Sequence, residues 1–398
     1  MTIWLNQTQK LLRQNNWPQA KRFLAKKGLE LLPCLIDSHV HFRTPGSEYK
    51  ENWRSAARAM LNGGIPAVID MPNNSPSIVD KKTLNQKIKL INRQLALPIK
   101  YFLYLGATTA KLPDKNLKNK VAGLKVYVGS STGNLLVDKA EQLEKIFKAW
   151  PGLLAFHAED EELIKVREKK FRRLKGAVKH SEIRNNEVAV RTLKKIIALA
   201  QKYNRRVYIC HVSTAKEIKI IKKAKARGLK IYAEVTPHHL FLNTDDYKKW
   251  KNFIKVNPPV RTKKDNQALW RALADGTIDV LATDHAPHLP KEKKQAYAKA
   301  PSGIPEIDTV LPLMLNAVKN KRITLKKLIK LMHNNPIKIF RLKGLKKYGT
   351  IVDLNLRKKV LKKNLKTKCG WTPYEGRELT GWPVATILNN KIYKINNK

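Results

Sequence analysis

From about residue 31 the chain alternates between two kinds of segment. Short apolar or β-branched runs end in polar residues, and most give way to a stretch with apolar residues at helical spacing. The runs are Leu31–Phe42, Pro66–Pro72, Lys100–Thr108, Gly123–Gly129, Leu153–Glu159, Arg206–Ser213, Lys230–Leu240 and Asp279–His288. Helical spacing follows in Trp53–Leu61, Ala140–Trp150, Glu187–Tyr203, Thr214–Arg227 and Asp265–Ala274. This alternation predicts an α/β fold with parallel strands, and the number of runs predicts a closed (β/α)8 TIM-type barrel. An open doubly wound sheet is the competing topology. From about Gly344 the pattern changes to short alternating runs with turn residues, as in Gly349–Leu354 and Pro383–Tyr393. These predict small β structure outside the barrel. The chain thus divides into a segment 1–30, a barrel 31–345 and a C-terminal β extension 346–398.

Composition narrows the function classes. The 398 residues are 42% apolar, enough for a large core and incompatible with a disordered chain. Lys+Arg number 80 and Asp+Glu 31, a formal charge of +49. Such a chain binds polyanions without specificity. Yet lysine decorates almost every helical segment instead of one stripe, and no zinc-finger, RNP-like or basic-zipper spacing occurs. The charge therefore reads as broad lysine enrichment on a solvated surface, with no specific nucleic-acid partner. Cys34, Cys210 and Cys369 are too few and scattered for a disulfide framework and fit a reducing, cytoplasmic setting. No apolar run reaches the roughly 20 residues of a membrane span. The stretch before Glu30 is basic, as in a transit peptide, but lysine is as common elsewhere.

The chemistry lies at the ends of the runs. The first contains Asp37-Ser38-His39-Val40-His41, and residues i and i+2 of a strand share a face. His39 and His41 could enter a barrel mouth together and hold a metal, or simply pack there. Other runs end in His157 and Glu159, in Cys210-His211, and in Asp284 with His285 and His288. In a barrel all these ends meet on the face that carries active sites. Imidazole plus carboxylate suits Zn²⁺, with Mn²⁺ or Co²⁺ as substitutes. Lys125, in Gly123-Leu124-Lys125-Val126-Tyr127, is either a surface lysine or an inward amine beside the metals. In the second case burial and positive charge would lower its pKa, and the neutral amine could take up CO₂ as a metal-bridging carbamate.

These segments, with Phe42-Arg43-Thr44-Pro45-Gly46, Asp70-Met71-Pro72-Asn73, Glu234-Val235-Thr236-Pro237-His238-His239 and Trp371-Thr372-Pro373-Tyr374-Glu375-Gly376, resemble the dihydroorotases of the amidohydrolase superfamily. The closest likeness is to the branch holding the dihydroorotase domain of the animal multifunctional pyrimidine enzyme. The resemblance spans about residues 31 to 345 and extends into the tail. It implies two zinc ions. His39, His41 and Asp284 would hold the first, His157 and His211 the second, and N6-carboxylated Lys125 would bridge them together with a hydroxide. Cys210 and Glu234 match the ligands of a third zinc in some relatives, and equally suit a buried thiol and a salt-bridged carboxylate.

The implied reaction is reversible cyclisation of N-carbamoyl-L-aspartate to (S)-dihydroorotate plus water, a step of pyrimidine biosynthesis. Asp284 would serve as general base and then acid. Arg43, on the same side as His41 if the strand continues, would grip the substrate carboxylate with Asn73 and His288. Asn257 would line the substrate. Ser131 or Thr132, in the loop after the fourth barrel strand, would donate a hydrogen bond, although the aromatic that relatives carry in this loop is absent. The resemblance also implies a homodimer and association with aspartate transcarbamoylase. Relatives begin with more β structure than the thirty-odd residues available here, so a reduced β subdomain built from both termini is expected. Met1–Lys27 itself reads as more helical than stranded. Two other readings stand beside this one: a different cyclic-amide hydrolase, such as an allantoinase or hydantoinase, and a non-catalytic subunit that scaffolds aspartate transcarbamoylase. The lysine load has no functional account.

Overall fold

The computed structural model describes residue 24 and residues 28–129 and 135–395. Its centre is a (β/α)8 barrel of parallel strands. They are β2 (Ile36–Val40), β3 (Ala67–Asp70), β4 (Lys100–Leu103) running into β5 (Leu105–Gly106), β6 (Leu124–Tyr127), β7 (Leu154–His157), β8 (Val207–Ile209), β9 (Ile231–Val235) and β10 (Val280–Leu281). Pairing runs β2-β3-β4 and then β5-β6-β7-β8-β9-β10. The break at Tyr104 lets one strand serve both neighbours. The ring closes between β10 and β2, where His41 N donates to His285 O at 2.8 Å. Because β10 is so short, a side chain completes the closure. The buried Asp37 carboxylate accepts from Thr283 N at 3.0 Å and from Thr283 Oγ1 at 2.5 Å.

The apolar run Leu31–Phe42, read above as one strand, is two. β1 (Leu29–Pro33) leaves the barrel and pairs antiparallel with β11 (Gly349–Lys359). β12 (Glu378–Leu388) and β13 (Lys391–Lys394) complete a four-stranded sheet in the order β1-β11-β12-β13. Pro33 lacks the N–H that would continue the ladder, which is where the chain changes sheet. The helical expectation for Met1–Lys27 lies almost wholly outside the described residues, as do Ser131 and Thr132.

Helices cover the barrel where helical spacing predicts them, at Trp53–Gly63, Ala140–Ala149, Asn186–Lys202, Ala215–Ala226 and Lys263–Asp275. The first is set by a capping box. Asn52 Oδ1 accepts from Ser55 N at 3.0 Å while Ser55 Oγ accepts from Asn52 N at 3.2 Å. Gly64 ends it at φ 70°, a left-handed cap that favours glycine.

Strand alternation separates two cores. Leu124, Val126, Leu154, Phe156, Val207, Ile209, Ile231 and Ala233 face the helices. Ile36, Ala67, Ile69, Tyr104, Ala155, Tyr208, Cys210, Val280 and Ala282 fill the barrel. Phe340, on a helix at Asn335–Phe340, plugs its lower end, with ring centroids 5.0 Å from Tyr208 and 6.0 Å from Tyr104. The plug leaves the opposite mouth, at the strand C-termini, as the open end.

Candidate active site

The same alternation aims the chemistry. On β6, Leu124 and Val126 face outward, so Lys125 and Tyr127 face inward. On β7, inward Ala155 places His157 above it at the mouth. On β10, inward Val280 and Ala282 predict an inward Asp284. Lys125 is fully buried inside the barrel, so it is not a surface lysine. Its Nζ lies 2.9 Å from Cys210 Sγ and 5.0 Å from the Tyr127 ring centroid.

Two placements depart from strand geometry. Cys210 and His211 are consecutive, so a regular strand would send them to opposite faces. His211 instead adopts φ 37°, and this turn brings its ring into the mouth beside inward Cys210. The expectation that Arg43 points inward because the strand continues is corrected: β2 ends at Val40, and Arg43 sits at φ 60°. A left-handed residue, not strand period, directs its side chain into the cavity. Asp284 is likewise at φ 51°. Such conformations cost of order 1–3 kcal/mol each and persist where surrounding packing imposes them.

The inward groups converge. Asp284 Oδ1 lies 3.2 Å from His39 Nε2 and 3.0 Å from His41 Nε2. His157 Nδ1 lies 3.0 Å from His211 Nε2. Ring centroids are 5.3 Å apart for His39 and His41 and 5.4 Å for His39 and His211. His39, His211 and Asp284 offer ligand atoms all within 4.8 Å of one another, and so do His39, Cys210 and Glu234. Glu234 is well supplied with donors besides. Tyr208 OH donates to it at 2.7 Å and His211 N at 2.9 Å, and His39 Nδ1 lies 2.8 Å away.

The donor set fits metal ions. Imidazole nitrogens crowd around one carboxylate oxygen, and the buried Nδ1 of His211 has no hydrogen-bond partner. Electrostatics agree. Burial opposes charge on Asp284, but His39 and His41 hold its carboxyl well below the usual carboxylate range. Burial and the neighbouring His157 push His211 well below the usual histidine range. Burial pulls His39 the same way, yet the Glu234 and Asp284 carboxylates prevail and push it up to about 10. A cation at this point would replace that proton.

Supporting groups fix the rings. His41 Nδ1 lies 2.7 Å from Asn73 Oδ1. His157 Nε2 lies 3.0 Å from Glu159 Oε2, and Arg184 pairs with the same carboxylate. Sequence reasoning gave Glu159 no role, although it stands two residues beyond His157 and so on the same side.

A cavity of about 300 Å³ opens above these groups. His39, His41, Arg43, Asn73, Lys125, His157, His211, Asn257, Asp284 and His288 all line it, with Tyr127 and residues 301–303. Cys210 and Glu234 are not among its lining and lie deeper. Arg43 Nε donates to Pro287 O at 3.2 Å, and its Nη2 lies 2.9 Å from His288 Nε2. Asn257 Oδ1 accepts from His180 Nε2 at 2.8 Å. Gly303 walls the cavity at φ 146°, and a Cβ there would stand 2.5 Å from Ala286 O.

Comparison with known proteins gives a consistent picture. The model of the amidohydrolase family matches residues 31–392. The dihydroorotase of Pyrococcus furiosus is 35% identical over 372 residues, covering 92% of this chain and 82% of that protein. The multifunctional protein CAD of Squalus acanthias is 35% identical over 369 residues, covering 92% of this chain and 15% of that much longer one. Among solved structures, the L-hydantoinase (dihydropyrimidinase) from Arthrobacter aurescens superposes with a TM-score of 0.88 at 25% identity, covering 93% of this chain and 86% of that one.

Proposed function

The chain belongs to the amidohydrolase family and is a hydrolase of cyclic amides, and from that premise we propose that it is a dihydroorotase. It would interconvert (S)-dihydroorotate plus water and N-carbamoyl-L-aspartate. The observation that carries this reading is the pairing, in one cavity, of the His/Asp/Lys cluster with Arg43, Asn73 and His288. A ring hydrolase needs the cluster. Only a substrate with a carboxylate outside the reacting amide needs the second group, and hydantoin and allantoin lack one.

His39, His41 and Asp284 would hold one zinc, His157 and His211 a second, with N6-carboxylated Lys125 between them. Bound there, the metals would acidify a water and polarise the ring carbonyl. Asp284, whose carboxyl His39 and His41 hold below the usual carboxylate range, would take the proton of that water. It would then deliver the proton to the ring nitrogen as the carbon–nitrogen bond breaks, and synthesis would run the steps backwards. Synthesis consumes an un-ionised carboxylic acid, so it is favoured at lower pH. Because Asn73 Oδ1 faces His41, its amide N–H groups remain for the substrate. Arg43 supplies a planar fork for the carboxylate, already oriented by Pro287 O.

A third metal at His39, Cys210 and Glu234 is compatible with the closeness of their ligand atoms, and a metal count decides it. The match to a segment of multifunctional chains supports association with aspartate transcarbamoylase, tested by co-purification. Among the described residues no helix is long and apolar enough to cross a membrane.

The test of function is ring opening by the purified protein on dihydroorotate, hydantoin and allantoin in parallel. Opening of dihydroorotate supports the reading. Opening of hydantoin or allantoin without dihydroorotate overturns it, and absence of all three with fewer than two metals bound would favour a scaffolding subunit.

A further inference from the structure

His288 is squeezed between two cations. Its Nδ1 lies 3.0 Å from Lys50 Nζ, and its Nε2 lies 2.9 Å from Arg43 Nη2. Nε2 also lies 3.1 Å from Ser302 O. That carbonyl is a fixed acceptor, because buried Lys293 Nζ donates to its neighbours Pro301 O at 2.8 Å and Gly303 O at 3.0 Å. Lys50 is fixed in turn. Its Nζ lies 2.8 Å from Glu292 Oε1, which also accepts from Tyr49 OH at 3.2 Å, while Glu292 Oε2 accepts from Leu289 N at 2.8 Å.

Lys50 and Arg43 can both only donate, but Nε2 also has the Ser302 carbonyl to accept its proton, whereas the nearest Glu292 oxygen is 4.0 Å from Nδ1, so Nδ1 offers its lone pair to Lys50. A neutral imidazole then carries its one proton on Nε2, where Ser302 O accepts it. The consequence falls on Arg43. A guanidinium has no lone pair, so the Arg43–His288 contact sets two donors against each other. A carboxylate arriving in the cavity relieves this clash by accepting from Arg43 and sharing the Nε2–H with Ser302 O.

We propose that Lys50 is a positioning residue that locks His288 in its Nε2–H tautomer, so that His288 and Arg43 present a matched pair of N–H donors to the substrate carboxylate. The identity of that substrate rests on the dihydroorotase reading; the tautomer does not. Burial among Arg43, Lys50 and Lys293 holds His288 well below the usual histidine range, which agrees with a neutral ring.

The experiment combines ¹⁵N NMR of histidine-labelled, metal-loaded protein with steady-state kinetics. In the unsubstituted protein, His288 shows a non-protonated Nδ1 and a protonated Nε2. Lys50→Met removes the bias, so the two tautomers mix, and KM for dihydroorotate rises roughly tenfold to a hundredfold while kcat falls much less. Lys50→Gln, whose amide can donate or accept, keeps the site polar and gives the same result should the methionine variant fold poorly. Lys50→Arg, which can only donate, restores both the tautomer and KM. An unchanged His288 tautomer in Lys50→Met and Lys50→Gln overturns the assignment, as does an unchanged KM alongside a mixed tautomer. If the unsubstituted protein does not open dihydroorotate, the functional reading falls, and the tautomer signature alone decides the role of Lys50.

Discussion

Lys125 Nζ lies 2.9 Å from Cys210 Sγ, a fully buried contact between strands that are 85 residues apart in sequence. The amine stands among imidazoles and has no carboxylate within ion-pairing distance among the described residues. An isolated buried ammonium is costly. Addition of CO₂ to the neutral amine, with loss of one proton, would give a carbamate anion suited to two metals. Lys125→Ala is therefore expected to lower bound zinc below two per chain and to reduce turnover by at least about a thousandfold, an effect of the size of losing metal catalysis. Metal analysis by plasma mass spectrometry, run beside the assay, checks both.

Asp284 is asked to be ligand and proton carrier at once. Its Oδ1 is shared by His39 and His41. Asp284→Ala removes both roles and should cost more than the roughly 10²–10⁴-fold of a proton carrier alone. A fall of only a few-fold in kcat would reject the shuttle.

Arg43 reaches the cavity wall with one edge already spent on Pro287 O. Arg43→Ala should raise KM for dihydroorotate roughly tenfold to a hundredfold through loss of a charged hydrogen bond. An unchanged KM would argue against carboxylate capture.

The orienting pair Glu159–Arg184 gives a pH prediction. Burial alone would raise the Glu159 carboxyl, but Arg184 and His157 win and pull it from 4.5 to about 2. A depressed folded-state value means the unfolded chain binds more protons between these limits. The stabilisation is full above about 4.5 and is lost as pH falls toward about 2. Arg184→Met removes the counter-charge, so acid unfolding followed by circular dichroism should begin at higher pH. An identical acid transition would contradict the pairing.

How much of this was legible beforehand follows from backbone geometry. His157 lies on a regular stretch of β7, where the period of two applies. Lys125 lies on regular β6, but the sequence left it open between surface and interior, and the β2–β3 register shifts across His39, with His41 just past the end of β2. His211 and Arg43 could not be aimed, since each adopts a positive φ that no residue pattern announces, whereas Asp284 keeps the inward face that alternation gives it despite its φ of 51°. The split of Leu31–Phe42 into β1 and β2 was hidden because both halves are apolar, one for the small sheet and one for the barrel. Lys50 was indistinguishable among 80 basic residues until His288 and Glu292 stood beside it. Glu159 had a signal, its spacing from His157, but nothing showed that Arg184 would meet it.

The most direct test of the account takes one preparation of the full chain and measures zinc per chain and the rate of dihydroorotate ring opening together. The account predicts at least two zinc ions per chain, ring opening, and loss of both on chelation with recovery when zinc is restored. A chain that opens dihydroorotate at the same rate after its metal is stripped, or holds two zinc ions and leaves dihydroorotate untouched, would contradict it.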